Sequence, residues 1–295
     1  MNMKHITKVR ASLSIHTRRK TSNLLEGVYN SIYKGKSMNF QDLREYVVGD
    51  NIKDIDWKAS ARSNKILIKQ FIAEKKHNIL FIMDSGKKML ADSKELEPKK
   101  DIAIMTIGTI AYLIDKNGDS VGAICNGQKG INYFGFNTGL NNIEKILTHY
   151  EKEIPSGGNL NKLVEYVYKH IKRKMIIFIV TDIDGINSIT DDTYKKLSAM
   201  HDVMLINISD ASISEIDSYD MDQESYVPYY MWEDEELKKE ELRIQEKIYS
   251  EAEDKLKKYK IAVKTIDCEK NIVNDIYKLL ERRKNANFYW FAGTI

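Results

Sequence analysis

The sequence predicts an α/β protein built on a doubly wound, mostly parallel sheet with helices on both faces. Three observations carry that prediction. Five short apolar runs rich in β-branched residues recur along the chain, at 78–83, 120–125, 175–181, 203–208 and 261–266; each is too short for a typical helix and long enough for a buried strand. Segments of helical period stand between them, and strands alternating with helices of that length build parallel sheets covered on both sides. Composition supplies the core, since 42% of the 295 residues are hydrophobic and 30% charged, which excludes wholesale disorder.

In chain order, residues 1–36 carry eight basic side chains against one acid, Glu26, and read as a basic helical arm. Residues 40–76 break the alternation with short, charged, aromatic-punctuated pieces, ending at 66–71 in a pattern that suggests an antiparallel hairpin or edge element. Helices are predicted at 99–115 after Pro98, with Asn117-Gly118 as the stop, and at 140–153, 160–172, 191–200 and 271–282. Residues 233–260 form a long charged helix with Leu237, Ile244, Ile248 and Leu256 on one apolar stripe. The domain plan is therefore an arm and irregular segment (1–76), one α/β domain (77–284) and an aromatic tail (285–295) with Phe288, Tyr289, Trp290 and Phe291.

The net charge of +3 hides segregation, because residues 210–254 hold sixteen acids against four bases. The basic and acidic stretches are surfaces that attract each other or different partners. Cys125 and Cys268 form no CxxC or Cys/His cluster, which argues against a disulfide framework or a zinc site. No apolar run reaches the roughly 20 residues of a membrane span, and the first 20 residues lack the apolar region of a secretory signal. A cytoplasmic protein is expected. The six histidines show no recognisable spacing to a nucleophile.

Asp84 follows the 78–83 strand directly, and Asp182 follows the 175–181 strand. In open parallel sheets ligands gather at such carboxyl ends. Two neighbouring carboxylates there would begin a divalent-cation site, since Mg²⁺ asks for hard oxygen ligands in octahedral array.

This order of strand, Asp, helix and later strand, Thr-Asp resembles a von Willebrand factor A domain. That family's metal-ion-dependent adhesion site uses Asp-x-Ser-x-Ser, a Thr on a second loop and an Asp on a third. Here the first loop is Asp84-Ser85-Gly86-Lys87-Lys88, so Gly86 and Lys88 occupy the serine positions; Gly158 stands where the Thr belongs, and Asp182 is kept. Glycine offers no side-chain oxygen and an ammonium only donates. A metal-free site follows as the expectation, with the Lys88 amine standing in for the ion and Mg²⁺ as the weaker alternative. On the other reading Lys88 points to solvent and the two acids cap loops and helix starts.

The stretch before the sheet is more specific. Phe40-Gln41-Asp42-Leu43-Arg44-Glu45-Tyr46-Val47-Val48-Gly49-Asp50, continuing through Lys53, Asp56, Trp57 and Arg62 to Glu74, resembles the signature of the family called domain of unknown function 58. Lys53 departs from it, holding a position usually taken by Arg. Physically, Gly49-Asp50 reads as a tight turn and Trp57 as a large apolar anchor. Arg44, Asp50, Asp56 and Arg62 read as candidates for an ion-pair lattice. As a functional face, the same residues would dock a partner, since Trp and Arg dominate interfaces. The resemblance implies a non-catalytic adaptor that works with a MoxR-type AAA+ ATPase on an unknown protein client.

Other readings remain. Asp182-Ile183-Asp184-Gly185 resembles the Asp-x-Asp-Gly motif of haloacid-dehalogenase phosphatases, with Asp182 as nucleophile and Asp184 as acid/base. In that fold, however, the motif strand comes early, and here it comes late. The basic arm could serve a nucleic-acid-binding module, although it offers few aromatics for stacking. Gly35-Lys36-Ser37 resembles the end of a phosphate-binding loop but lacks the earlier glycine and the preceding strand.

Overall fold

The computed structural model describes residues 3–17, 25–29, 42–49, 52, 55–63, 65–70, 76–128, 130–155, 159–212, 219–220, 225–226 and 234–291. The chain divides into two compact units, Met1–Val28 with His77–Ile295, and Tyr29–Lys76. The stretch 1–76 expected as one segment therefore separates, and its first helix belongs to the larger unit.

In chain order the elements are α1 (Lys4–Thr17), β1 (Asp42–Glu45), α2 (Trp57–Ser63), β2 (Leu67–Gln70), β3 (Asn78–Met83), α3 (Lys99–Lys116), β4 (Ser120–Gly127), β5 (Gly130–Asn137), α4 (Leu140–Lys152) and α5 (Leu160–His170). They continue as β6 (Ile176–Thr181), α6 (Ile183–Ser188), α7 (Asp191–Met200), β7 (Asp202–Ile208), α8 (Glu235–Lys258), β8 (Ala262–Ile266) and α9 (Ile272–Phe291).

The main sheet has six strands in the order β8-β7-β6-β3-β4-β5. Every neighbouring pair is parallel except β4 with β5. Counted along the chain the order is 3-2-1-4-5-6 with the third strand reversed, the von Willebrand A-like, doubly wound plan. Its switch point lies between β3 and β6. The five apolar runs all became parallel strands, and each residue of β6 is buried. No strand was expected at β5, whose apolar residues are interrupted by Gly135 after a start at Gly130; its residues are exposed or half-buried in turn.

On one face, Leu163 and Val167 of α5, Tyr194 and Leu197 of α7, and Ala252 and Leu256 of α8 pack against Leu80, Ile82, Ile177, Ile179 and Leu205. The other face is covered by α3, whose residues between Ile102 and Ile114 are buried almost all round. Asn117 ends α3 as expected, with Gly118 at φ +76° in the left-handed region. The stripe on α8 docks only in part. Ala252 and Leu256 are buried, whereas Leu237, Ile244 and Ile248 are 42%, 51% and 37% exposed, because only the C-terminal half of the helix reaches the sheet.

The basic helix α1 packs on α3 and α4 through Ile6, Val9 and Leu13. Gly108 of α3 makes room for it, since a Cβ there would stand 2.8 Å from Val9 Cγ2. The buried Glu144 carboxylate accepts the His5 N–H at 3.1 Å and the Ile6 N–H at 2.9 Å, capping the helix where its free amides and positive dipole end favour an anion. Lys4 pairs with Glu151 at 2.7 Å and Lys8 with Glu269. Part of the arm's charge is thus met inside its own unit, by acids outside the 210–254 stretch.

In the smaller unit β1 and β2 pair antiparallel, so 66–71 does contain the expected edge element. Helix α9 runs on to Phe291, through the start of the stretch set apart as a tail; the side chains of residues 286–295 lie outside the described set. Among the described residues, no helix is long and apolar enough to cross a membrane.

Candidate functional site

Asp84 leaves β3 with its N–H still donating to Val180 O at 3.0 Å, so the backbone keeps the β3–β6 register one residue past the strand. Its side chain then turns back into the protein and is 8% exposed. Oδ1 accepts the Gly86 N–H at 2.9 Å, Oδ2 accepts the Thr181 hydroxyl at 2.5 Å, and the buried Tyr150 hydroxyl donates to the Asp84 carbonyl. Burial raises the Asp84 carboxyl above its usual value, and the Thr181 and Gly86 hydrogen bonds only partly offset it.

Asp182 occupies the equivalent exit from β6 and is 2% exposed. Its Oδ1 accepts the Gly185 N–H at 2.9 Å, which caps α6. Its Oδ2 accepts Lys99 Nζ at 3.1 Å. Lys99 opens α3, is 1% exposed, and donates a second bond to Asp210 Oδ1. A buried ammonium survives only when paired. Burial is the largest influence and acts to lower the Lys99 pKa, yet the Asp182 and Asp210 charges together outweigh it and leave the amine raised. Burial likewise raises Asp210, against the pull of Lys99.

The sequence reading missed Lys99 and Asp210. Asp210 had a usable signal, since it follows the 203–208 strand much as Asp84 and Asp182 follow theirs. Lys99 had a weaker one, a charge at the head of a helix otherwise apolar on all sides.

Lys88 was the amine expected to stand in for the ion. Lys88 Nζ instead donates to Asp184 Oδ2 at 2.5 Å, with the two side chains 42% and 55% exposed. The ammonium bonded to Asp182 belongs to Lys99, because α3 delivers its first residue into the buried space between the exits of β6 and β7. The capping role of the open alternative holds for both acids. Gly86 stands close over Asp84, where a Cβ would be 3.2 Å from Oδ1. Ser85 turns its hydroxyl to Asn126 O at 2.5 Å. Gly158 lies outside the described residues.

Positions 86 and 88 offer no side-chain oxygen to a divalent cation, and Asp182 is already paired with the Lys99 ammonium. Among the described residues no group of three or more His, Cys, Asp or Glu is disposed to hold a metal.

The signature residues fall in the smaller unit. Tyr46 donates its N–H to Ile66 O at 2.9 Å, and Gly49 takes φ +109°, the left-handed turn that favours glycine. Asp56 accepts the Lys58 and Ala59 N–H groups at 3.1 and 3.0 Å, capping α2. Arg44 and Arg62 are exposed, and the Arg44 guanidinium donates to Glu45 O at 3.2 Å. Trp57, the first residue of α2, is 65% exposed, more than a large apolar anchor packed into its unit would be. Asp50, Lys53 and Glu74 lie outside the described residues.

Residues 42–220 match the family described as Protein of unknown function DUF58. The chain belongs to this family. The matched span holds the described signature residues together with Asp84, Lys99, Asp182 and Asp210, and leaves α8, β8 and α9 outside it. Uncharacterized proteins of Mycobacterium bovis and Mycobacterium tuberculosis are 22% identical over 204 residues, covering 68% of this chain and 63% of their own. The chain thus spans less than two thirds of the length of these relatives. Among solved structures, an aerotolerance-related membrane protein from Bacteroides fragilis aligns over 70% of this chain and 99% of its own, at 12% identity and a TM-score of 0.41. A von Willebrand factor type A protein from Catenulispora acidiphila aligns over 72% of this chain and 43% of its own, at 9% identity and a TM-score of 0.40.

For this DUF58 member the geometry does not serve the phosphatase reading. A nucleophilic Asp182 would need a free oxygen facing substrate, and both of its oxygens are engaged in a buried pocket of bonds. Gly185 of the Asp-x-Asp-Gly motif has a packing role instead: a Cβ there would stand 1.8 Å from Thr181 Oγ1 and 2.8 Å from Asp84 Oδ2.

Proposed function

We propose that this DUF58 member is a non-catalytic adaptor whose strand-end face is a degenerate, metal-free adhesion-type site. The observation that carries the reading is the Lys99 ammonium bonded between Asp182 and Asp210. A fixed internal cation is bonded to Asp182, one of the two strand-end carboxylates that a metal ion would otherwise join. The face then recognises a partner through protein groups alone. Lys88 and Asp184 stand at its surface as an exposed pair of the weakly stabilising kind, and Lys88 exchanges Asp184 for a carboxylate of the partner. Following the family resemblance, that partner is a MoxR-type AAA+ ATPase acting on a protein client. The two buried, unpaired cysteines suit a reducing cytoplasm.

Two measurements test the reading. Capture from native cytosol with and without ATP should retain an AAA+ ATPase in a nucleotide-dependent way, and a constitutive complex indifferent to ATP would favour a purely structural subunit. Millimolar Mg²⁺ should leave the melting temperature where an equal ionic strength of Na⁺ leaves it. Strong stabilisation by Mg²⁺ that disappears in Asp84→Ala would overturn the metal-free site.

A further inference from the structure

The main sheet ends in β8 on one side and β5 on the other, and the two edges differ. A sheet edge offers unpaired N–H and C=O groups to any further strand, so chains that stay apart blunt it with charge or cover. At the β8 edge Arg282 donates to the Val263 carbonyl at 2.9 Å, and Lys264 stands within the strand, paired with Asp275 at 3.2 Å. That edge is blunted.

The β5 edge carries neither device. Its eight residues include no charge and no proline, in a chain of which 30% is charged. Its register with β4 is regular from Gly130 to Phe134 and shifts beyond. In an antiparallel ladder alternate residues turn their N–H and C=O away from the neighbour. At the far end the Gly135 and Asn137 carbonyls accept the side-chain amides of Asn137 and Asn142 at 3.2 and 3.3 Å. Along 130–134, among the described residues, no group outside the ladder with β4 bonds to the backbone. Ile131 and Tyr133 on this stretch are 39% and 48% exposed.

What pairs there is another uncharged, unblunted strand edge, because a charge drawn into such a ladder loses its water. β5 itself meets that demand. A two-fold axis needs one such strand and no second surface, and it uses up the open edge of both copies. With β8 blunted, the assembly closes at two.

We propose that β5 joins two copies of this chain, residues 130–134 of one running antiparallel to the same residues of the other, so that the two sheets continue into each other. The contact is separate from the Lys99 carboxylate cluster and does not depend on how that cluster is used. One short strand pair makes a small interface, and the association is weak.

Sedimentation velocity of the full chain tests it. A dimer should dissociate on dilution through roughly the micromolar range. Tyr133→Lys should weaken it about tenfold or more, since the axis brings the two lysines together across the new ladder. Hydrogen exchange of the 130–134 amides should be slowed where the dimer prevails and not where it has dissociated. A monomer at every concentration up to about 1 mM, a dimer undiminished in a folded Tyr133→Lys protein, or exchange along 130–134 indifferent to concentration would each overturn the proposal. The first of these results is expected if the edge serves a strand of another protein. The exchange measurement uses the unaltered chain and decides the matter even if the variant does not fold.

Discussion

Gly185 approaches Thr181 so closely that a Cβ at position 185 would stand 1.8 Å from the Thr181 hydroxyl oxygen. That hydroxyl is the donor to Asp84 Oδ2, so the first turn of α6 closes directly over the hydrogen bond joining the exits of β3 and β6. Replacement by alanine must either push α6 outward or break the bond. Gly185→Ala should therefore destabilise by about 1–3 kcal/mol, read as a lower denaturant midpoint, while Gly27→Ala, with open space around its Cβ position, should change little.

Removing the Lys99 ammonium leaves Asp182 buried beside Asp210 with no cation between them. Lys99→Met should cost about 3–5 kcal/mol, the usual penalty for breaking a buried pair from one side. The pH dependence has a definite sign. The folded-state pKa of Lys99 lies above 10.5, so the stability it contributes is complete below 10.5 and is lost as pH rises through the raised value. Chemical denaturation across the alkaline range should show this limb in the unaltered chain and not in Lys99→Met.

His201 titrates in the opposite sense. It is 3% exposed, and burial holds its imidazole below the usual 6.5. Protons therefore bind the unfolded chain more readily. Stability is complete above pH 6.5 and falls as pH drops from there toward the lowered folded value, by up to about 1.4 kcal/mol per unit. His201→Gln should flatten this acid limb in denaturation curves between pH 7 and 5.

On the proposed function, Lys88 and Trp57 serve recognition rather than stability. Lys88→Glu and Trp57→Ala each alter an exposed side chain and should shift stability by no more than about 0.5 kcal/mol. Lys88→Glu should weaken capture of the ATPase several-fold, since it repels the carboxylate that Lys88 would meet. Undiminished capture by a folded Lys88→Glu protein would remove Lys88 from the interface, and unfolding of Trp57→Ala would return Trp57 to a structural role.

The parallel strands were legible because a strand buried on both faces needs an unbroken apolar run, as in β6, and such a run is a local property of the chain. Edge strand β5 was not, since Gly130 and Gly135 weaken its strand pattern and it carries no unbroken apolar run. Asp84 and Asp182 could be read as strand-end acids from the residues before them. Asp210 stands in a similar relation to its own strand, two residues after Ile208. The apolar stripe on α8 was correctly periodic, yet periodicity says nothing about which turns reach the sheet, and Leu237, Ile244 and Ile248 remain exposed.

The sequence by itself determined the α/β plan, the strand-end positions of Asp84 and Asp182, and the family to which the chain belongs. It could not choose between amines. Lys88 lies four residues from Asp84 and Lys99 lies 83 from Asp182, and nothing local marks the distant one as the partner. The tertiary structure decided it through desolvation: α3 carries Lys99 into a space closed to water, where an ammonium persists only against carboxylates, while Lys88 stays where water already satisfies it and Asp184 costs little to hold. The same closure made Gly185 a packing residue, because only the folded chain brings α6 down onto Thr181 and Asp84.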